Sequence, residues 1–320
     1  MKNALIIIPI HNGASTIEQT FDSLLDQVLP SFCFISKIII VDDCSSDNSP
    51  EILKEYKDKL HLKFKSKIEI ISNIERKGLA NNYNLAMNEI CDYIITLHQD
   101  IILHNNSLIS ILSPLANDST TLASKYISFL PLKIWTTFNF WQKSFFDRFL
   151  NKKVSSHDGK FNAFKKTALD QVGWWDAKTF NTAGEDGDML RKLVTIGTFS
   201  ISKAQITHIH SSNPNFSWRH IIQKHAQYAE ANGAILRRYG LEFPHSFIIF
   251  FREILVIITV IYPLTILGLV LTCAYTYLYT KNTYKYGTMS LNISLFILNI
   301  TLIYISFFYS LKGFLTGKQL

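Results

Sequence analysis

Cysteine is scarce in this 320-residue chain, and the four present, Cys33, Cys44, Cys91 and Cys273, include no C-x-x-C pair. That argues against a disulfide framework and leaves free thiols in apolar surroundings, as expected in a reducing compartment. No G-x-G-x-x-G and no Walker sequence follows the first apolar run, so neither a dinucleotide dehydrogenase nor a P-loop NTPase is supported. An Arg/Lys-rich arm and zinc-finger spacing are also missing. The formal charge of +7, from 32 Lys+Arg against 25 Asp+Glu, therefore carries no nucleic-acid signature and suits anionic lipid or phosphorylated substrates. The N-terminal stretch Met1-Lys2-Asn3-Ala4-Leu5-Ile6-Ile7-Ile8-Pro9 has too short an apolar core for a signal peptide and no small-residue cleavage site. The folded part is expected to stay in the cytoplasm.

Hydrophobic residues, by contrast, are abundant. They make up 48% of the chain, the mean hydropathy is +0.12, and the excess lies after Ser246. A chain of this length holds one large domain and something more, since single cores stop growing at roughly 250 to 300 residues. Residues 254–279 and 289–311 carry no charge, and each run is long enough to span about 30 Å of hydrocarbon. The expected organisation is a catalytic domain over 1–240 and a two-helix membrane anchor over 241–320, with Pro263 kinking the first helix. Arg237, Arg238 and Arg252 before the first run and Lys312 and Lys318 after the second outnumber Lys281 and Lys285 between them. The bias puts both outer flanks in the cytoplasm, making a multi-pass protein of the inner (plasma) membrane with its catalytic domain on the cytoplasmic face.

The first hundred residues alternate between apolar runs of strand length and amphipathic segments. Residues 5–8 form a strand stopped by Pro9, with His11-Asn12-Gly13 as the turn. Ser15 and Thr16 can cap a helix with Ile17, Phe21, Leu24, Leu25 and Val28 on one face. Residues 37–41 form a second strand, ending in Asp42-Asp43-Cys44-Ser45-Ser46-Asp47, and a helix over 50–59 follows. Strand 68–72, the loop 73–78, a helix over 79–89 and a strand from Tyr93 continue the βαβ rhythm of a parallel sheet covered by helices. Ligands bind such sheets beyond the carboxyl ends of the strands. Pro9, His11, Asn12, Asp42, Asp43, Arg76, Lys77 and the triplet His98-Gln99-Asp100 are expected to converge there. An Asp at the tip of a buried strand is a candidate metal ligand, because buried carboxylates are paired or bound to cations.

Three blocks carry a resemblance. Ala4-Leu5-Ile6-Ile7-Ile8-Pro9-Ile10-His11-Asn12, Ile40-Val41-Asp42-Asp43-Cys44-Ser45-Ser46-Asp47, and Arg76-Lys77-Gly78-Leu79-Ala80 with Asn84 resemble, in order and spacing, the opening of family-2 glycosyltransferases. The resemblance covers about the first 240 residues. It implies a GT-A fold, an α/β mixed sheet flanked by helices, with a nucleotide-sugar donor (UDP- or dTDP-sugar) and inversion at the anomeric carbon. In that family a D-x-D motif holds a divalent cation on the donor diphosphate. Here the triplet is His98-Gln99-Asp100, similar to rhamnosyltransferase-like members: Asp100 keeps the ligand role for Mg²⁺ or Mn²⁺, and His98 stands where the first carboxylate is expected. Hard oxygen ligands and a divalent cation suit the charge that develops as a nucleoside diphosphate departs, and Arg76 or Lys77 can add a second positive charge. The resemblance assigns contact with the base to the Asp pair, with Asp42 favoured over Asp43.

Further along, Gly184-Glu185-Asp186-Gly187-Asp188-Met189-Leu190 resembles the acidic block that closes the acceptor side of such sites. An inverting transfer needs one base for the acceptor hydroxyl proton. That role falls to Asp186, with Glu185 orienting it or binding the acceptor and Asp188 structural near a helix N-terminus. Ile206-Thr207-His208-Ile209-His210-Ser211 places two imidazoles on one side of an extended segment, and the resemblance makes His208 the second metal ligand. His210 and Ser211 are candidates for the diphosphate or for positioning His208. Residues 124–154 mix aromatics with Lys133, Lys143, Arg148, Lys152 and Lys153, either as a membrane- or acceptor-facing flap or as core packing of an insertion. Residues 218–239 read as a basic amphipathic helix, lying on the inner membrane surface or simply on the catalytic domain.

Together these imply an inverting, metal-dependent transfer of a sugar to a lipid-linked saccharide acceptor in bacterial surface polysaccharide (O-antigen- or capsule-type) assembly. Two alternatives stand beside it: a polyprenyl-phosphate glycosyltransferase, and a non-catalytic membrane scaffold with a decayed site.

Overall fold

The computed structural model describes residues 1–155, 159–209, 215–242, 245–261 and 263–319. It falls into two compact units. The first comprises Met1–Leu130, Lys152–Ala177 and Glu185–Ser211; the second comprises Pro131–Asn151, Lys178–Gly184 and Ser212–Leu320.

Among the described residues the first unit is built on nine strands: β1 (Lys2–Ile10), β2 (Cys33–Asp42), β3 (Lys67–Ser72), β4 (Tyr93–Leu97), β5 (Ile101–Leu103), β6 (Thr121–Phe129), β7 (Lys153–Ser155), β8 (Phe161–Lys165) and β9 (Thr198–His208). They form one sheet in the order β3-β2-β1-β4-β8-β6-β9-β5, with β7 on β6. β3, β2, β1 and β4 are parallel, as the βαβ rhythm requires. β8 is antiparallel to both β4 and β6. This mixed sheet with helices on both faces is the α/β arrangement expected from the sequence.

Side chains alternate across a strand, so β1 feeds two cores. Ala4, Ile6, Ile8 and Ile10 pack with Phe21, Leu53 and Leu112 on one face. Leu5 and Ile7 meet Tyr83, Trp174, Trp175 and Met189 on the other. All of these β1 side chains are at most 1% exposed, which explains why the strands read as unbroken apolar runs. β1 continues through Pro9 to Ile10, two residues beyond the expected stop. Its pairing with β4 ends at Ile7, so the missing N–H of Pro9 removes no ladder bond on that side.

Other boundaries also move. The helix expected over 50–59 runs Ser49–Phe64, because Pro at its first turn is compatible with a helix start. The helix expected over 79–89 stops at Asn84 and continues as turns.

The second unit is helical. Its principal pair is Trp218–Tyr239 against Met289–Thr316. The helix over 218–239 therefore groups with the C-terminal helices rather than closing a domain at 240. Small residues face each other along the seam: Ala226, Ala229 and Gly233 on one helix, Ser306, Ser310 and Gly313 on the other. A Cβ at Gly233 would strike the Ser310 carbonyl oxygen, and one at Gly313 the Glu230 carbonyl oxygen. Small side chains of this kind let helix backbones approach closely. Lys312 pairs with the buried Glu230 at 2.6 Å, and Arg237 donates to the terminal carbonyls of Phe314 and Leu315. Of the two readings for residues 124–154, core packing describes Trp135, Phe138 and Phe145, which are all buried.

The apolar run 254–279 is not one spanning helix. It lies in two helices, Phe251–Val260 and Thr265–Tyr279, and the chain reverses at Pro263. Gly268 lies against the backbone of Thr259, and Arg252 Nε donates to the Tyr275 hydroxyl at 2.9 Å. Both contacts are centred on the same turn. Proline lacks the amide that would continue the ladder, and glycine lets the returning helix settle close by, so the expected kink becomes a hairpin. At about 1.5 Å per residue neither limb reaches the roughly 30 Å of a hydrocarbon core. Among the described residues one helix, Met289–Thr316, is long and apolar enough to cross a membrane.

The seam makes a direct prediction. Valine at Gly233 or Gly313 should lower the apparent melting temperature of the detergent-purified protein by about 5 °C or more, because overpacking costs roughly 1–3 kcal/mol or greater. Gln223→Ala, on the exposed face of the same helix, should leave it unchanged in the same thermal scan.

Candidate functional site

The loops beyond β1 and β2 interlock. Asn12, in the left-handed region at φ 50°, accepts from the Ser46 amide at 2.8 Å while its own amide donates to Ser45 Oγ at 3.0 Å. Asp47 accepts from the Ala14 amide at 2.9 Å and from the Ser49 hydroxyl at 2.6 Å. His11 joins three segments: its ring Nδ1 lies 2.9 Å from the Asp43 carbonyl, and its backbone is clamped at both ends by the Gln99 side chain. Gln99 Oε1 accepts from the His11 amide at 2.7 Å, and Nε2 donates to the His11 carbonyl at 3.0 Å. Gly13 is required beside this clamp, since a Cβ there would lie 2.7 Å from Gln99 Oε1.

The two aspartates of the pair do different things. Asp43 accepts from Asn73 Nδ2 at 2.8 Å and from the amides of Lys77 and Gly78 at 2.7 and 2.9 Å. Burial pushes its pKa up, but these donors, with Asn82, outweigh it and hold the carboxyl below the usual range. Asp43 thus ties the 73–78 loop to β2. The carboxylate of Asp42, also buried, accepts only from the Ser45 amide, on Oδ1 at 3.0 Å, among the described residues. Pro9 is buried in β1. The Arg76 side chain is exposed and makes no hydrogen bond or ion pair among the described residues, while Lys77 pairs through its ammonium with Glu75.

The run Tyr93–Leu103 divides at the triplet, where the chain leaves β4 and starts β5 at the opposite edge. β5 is antiparallel to β9 with Ile101 opposite His208, and the Ile209 amide bonds the Asp100 carbonyl at 2.7 Å. In this register His208 Nε2 meets Asp100 Oδ2 at 2.8 Å. Burial pushes the Asp100 pKa up, but the facing His208, with His98 and Lys160 nearby, outweighs it and holds the carboxyl well below the usual range. Asp100 Oδ1 is buried and has no hydrogen-bond partner among the described residues. One carboxylate and one imidazole are a partial ligand set for a divalent cation. Among the described residues no third His, Cys, Asp or Glu joins them. His210 and Ser211 lie outside the described residues.

His98 Nε2 lies 2.9 Å from the Tyr83 hydroxyl, which reaches the Gly159 carbonyl at 3.3 Å. The Gly159 amide donates to Asp186 Oδ2 at 2.6 Å. A short chain of contacts therefore links the triplet to the acidic block. Asp186 is in the first turn of Glu185–Val194, with Glu185 and Asp188. Glu185 is buried there, and Asp188, fully buried, pairs with Lys192 at 2.8 Å.

Two contributors escaped the sequence reading. Tyr83 follows Leu79 and Ala80 at helical spacing and reads simply as core; its ring does pack on Trp175, with centroids 4.9 Å apart. Lys125 lies in β6 and lines a small cavity with Asp186, Asn162 and Phe199. Its ammonium is 3.7 Å from the Phe199 ring centroid, and burial pulls its pKa down to about 8.

The chain matches Glycosyl transferase family 2 over residues 5–173. Among curated proteins, the poly-beta-1,6-N-acetyl-D-glucosamine synthase of Staphylococcus epidermidis is 24% identical over 185 residues, 53% of this chain and 41% of that protein. The putative teichuronic acid biosynthesis glycosyltransferase TuaG of Bacillus subtilis is 35% identical over 82 residues, 26% of this chain and 29% of that one. The chain thus spans well under half the length of these relatives. Among solved structures, the mannosyltransferase PcManGT from Pyrobaculum calidifontis, in complex with GDP-Man and Mn²⁺, superposes with a TM-score of 0.59 at 17% identity, covering 93% of this chain and 86% of that one. Residues 1–349 of Staphylococcus aureus TarS give 0.50 at 12% identity, covering 99% and 90%.

Lys125 sets a pH dependence. Its folded pKa of about 8 lies below the unfolded value near 10.5, so between these pH values the unfolded chain binds the extra proton and stability rises with pH. Below about pH 8 the cost of the buried charge is present in full. Lys125→Met should flatten the rise between about pH 8 and 10.5 and raise the melting temperature at pH 7, as checked by thermal scans across that range.

Proposed function

The chain belongs to glycosyl transferase family 2, and from that premise we propose an inverting, divalent-metal-dependent transfer of a sugar from a nucleotide-sugar donor to a lipid-linked saccharide in surface polysaccharide assembly. The observation that carries this reading is the Asp100–His208 contact at 2.8 Å, with Asp100 Oδ1 buried and unpartnered among the described residues. A carboxylate kept ionised beside an imidazole at the carboxyl end of the sheet suits a cation on a diphosphate. GDP-Man and Mn²⁺ in the mannosyltransferase structure support a nucleotide-sugar donor and the same class of metal.

Asp100 and His208 would hold the Mg²⁺ or Mn²⁺, which when bound offsets negative charge on the donor diphosphate. Asp42, with Oδ2 making no hydrogen bond among the described residues, is the member of the pair suited to accept from the donor's base, while Asp43 secures the loop that carries Arg76. The exposed Arg76 guanidinium supplies a mobile positive charge for phosphate oxygens. Asp186 takes the proton from the acceptor hydroxyl as that oxygen attacks the anomeric carbon and the nucleoside diphosphate departs. The Gly159 amide donates to its Oδ2 at 2.6 Å and helps to position the carboxylate. The long apolar helix Met289–Thr316 and the exposed aliphatic side chains of the helical unit, such as Ile266 at 77% and Val260 at 73%, support association with the membrane that carries such an acceptor. The catalytic unit would then face the cytoplasm, where the donor is soluble.

Two measurements test the reading. Isothermal titration with UDP, dUDP, dTDP and GDP should show binding that strengthens at least tenfold with Mn²⁺, and Asp100→Asn or His208→Ala should remove the metal-linked part; no metal-linked binding would sink the proposal. Asp186→Asn should lower kcat by about 10²- to 10⁴-fold with nucleotide affinity unchanged. Near-wild-type turnover of that variant would favour transfer to an already ionised polyprenyl phosphate, which needs no base.

A further inference from the structure

The helical unit contains a cavity of about 440 Å³ that the transferase reading does not use. Its wall includes Phe247 and Ile248, 48% and 71% exposed. Its inner lining includes Arg252, His225, Tyr275 and Tyr279. Arg252 donates through Nε to the Tyr275 hydroxyl at 2.9 Å and through a terminal nitrogen to His225 Nδ1 at 2.8 Å, and its guanidinium carbon lies 4.6 Å from the Tyr279 ring centroid. A second guanidinium, Arg148, donates to the Tyr279 hydroxyl at 2.7 Å.

The cluster carries positive charge and donors, and the one carboxylate among the lining residues is Glu253. Among the described residues neither guanidinium forms an ion pair. The carboxylate beside Arg148, Asp147, is engaged by Asn282 and by the amide and hydroxyl of Thr283. Of Glu253, Oε1 takes the Ser310 hydroxyl at 2.6 Å, while Oε2 is buried with no hydrogen-bond partner among the described residues. Because His225 Nδ1 accepts from Arg252, its proton sits on Nε2. That N–H belongs to a side chain only 4% exposed and has no partner among the described residues, nor has the buried Nε of Arg148. Buried charges normally acquire a partner, since leaving one unpaired is costly. The Arg252 guanidinium and His225 at the cavity, with the Arg148 guanidinium bonded to the lining residue Tyr279, suit the oxygens of a phosphate or diphosphate. Apolar exposed side chains at the same cavity suit a hydrocarbon tail.

We propose that this cavity binds the phosphate-bearing head group of a membrane amphiphile, with its tail along Phe247 and Ile248. The assignment deepens the acceptor side of the function above and rests on the helical unit lying in a bilayer. Either a polyprenyl (di)phosphate or an anionic phospholipid supplies the required chemistry.

The test uses the full chain in neutral detergent, with binding followed by native mass spectrometry. Geranylgeranyl diphosphate, geranylgeraniol, phosphatidylglycerol and diacylglycerol are compared. At least one of the two anionic amphiphiles should bind tenfold or more tightly than its uncharged counterpart, and which one does so identifies the source. Arg252→Gln should lose that preference and Arg252→Lys should retain part of it, with circular dichroism and the thermal midpoint reporting whether each variant is folded. Equal binding of geranylgeraniol and its diphosphate, together with equal binding of phosphatidylglycerol and diacylglycerol, would overturn the proposal on the wild-type protein alone. Retention of the preference in a folded Arg252→Gln protein would do the same. Loss of metal-linked nucleotide binding with this preference intact would instead remove the transferase reading and leave the lipid site standing.

Discussion

The antiparallel register of β5 on β9 is the constraint from which the candidate site follows. It sets Ile101 opposite His208 and so brings a carboxylate and an imidazole 108 residues apart into contact at 2.8 Å. Slipping the pairing by one residue would turn His208 to the other face of the sheet. The register is itself secured from both sides: the Ile209 amide bonds the Asp100 carbonyl, and Thr20 and Ser23 of the first helix receive the amides of Ile101 and Leu103. A three-residue strand at a sheet edge has few ladder bonds of its own, so these side-chain acceptors supply part of what holds it.

Around that contact the polar residues divide into those that hold loops and those left available to a ligand. Asp43 and Asp47 are saturated with backbone and side-chain donors, and Gln99 spends both ends of its amide on His11. Their work is to keep three separate loops at one place. Asp42, Arg76 and Asp100 each retain an oxygen or a charge without a partner among the described residues, and preorganised groups of this kind are what a charged donor can exploit without further rearrangement. Tyr83 sits between the two classes: its ring is core, while its hydroxyl joins His98 to the Gly159 loop on which Asp186 rests.

The helical unit follows a different physics. Its main seam is lined by Ala, Ser and Gly, with Glu230–Lys312 as an ion pair at one end, so close backbone approach rather than large side-chain burial defines the pairing. Pro263 and Gly268 act together, the first ending a helix and the second admitting the returning limb, and the result is a hairpin of two short helices. That fold-back sets Arg252 beside Tyr275, twenty-three residues later in the chain, and thereby creates a cationic cluster that no linear motif announces.

Much of this was legible in the residues themselves. The unbroken apolar runs of β1, β2 and β4 announced strands buried on both faces, because two helical layers must cover them. The Asp42-Asp43, Arg76-Lys77-Gly78 and His98-Gln99-Asp100 blocks, each placed just after a strand, announced the end of the sheet where chemistry gathers, and their order carried the family. What local pattern could not supply was any relation requiring long-range geometry: which aspartate of a pair is saturated, that a lysine in β6 lies beside Asp186, or whether an apolar run of about 26 residues spans or folds back. Hydropathy reports composition along a line and is blind to a reversal that one proline and one glycine produce. The amino-acid sequence by itself determined the elements, the class of fold and the candidate ligands, since period, punctuation and motif order are local properties. Only the tertiary structure decided that Asp100 meets His208 and that Arg252 meets His225, because side-chain contacts across a hundred or across twenty-seven residues depend on strand register and helix packing.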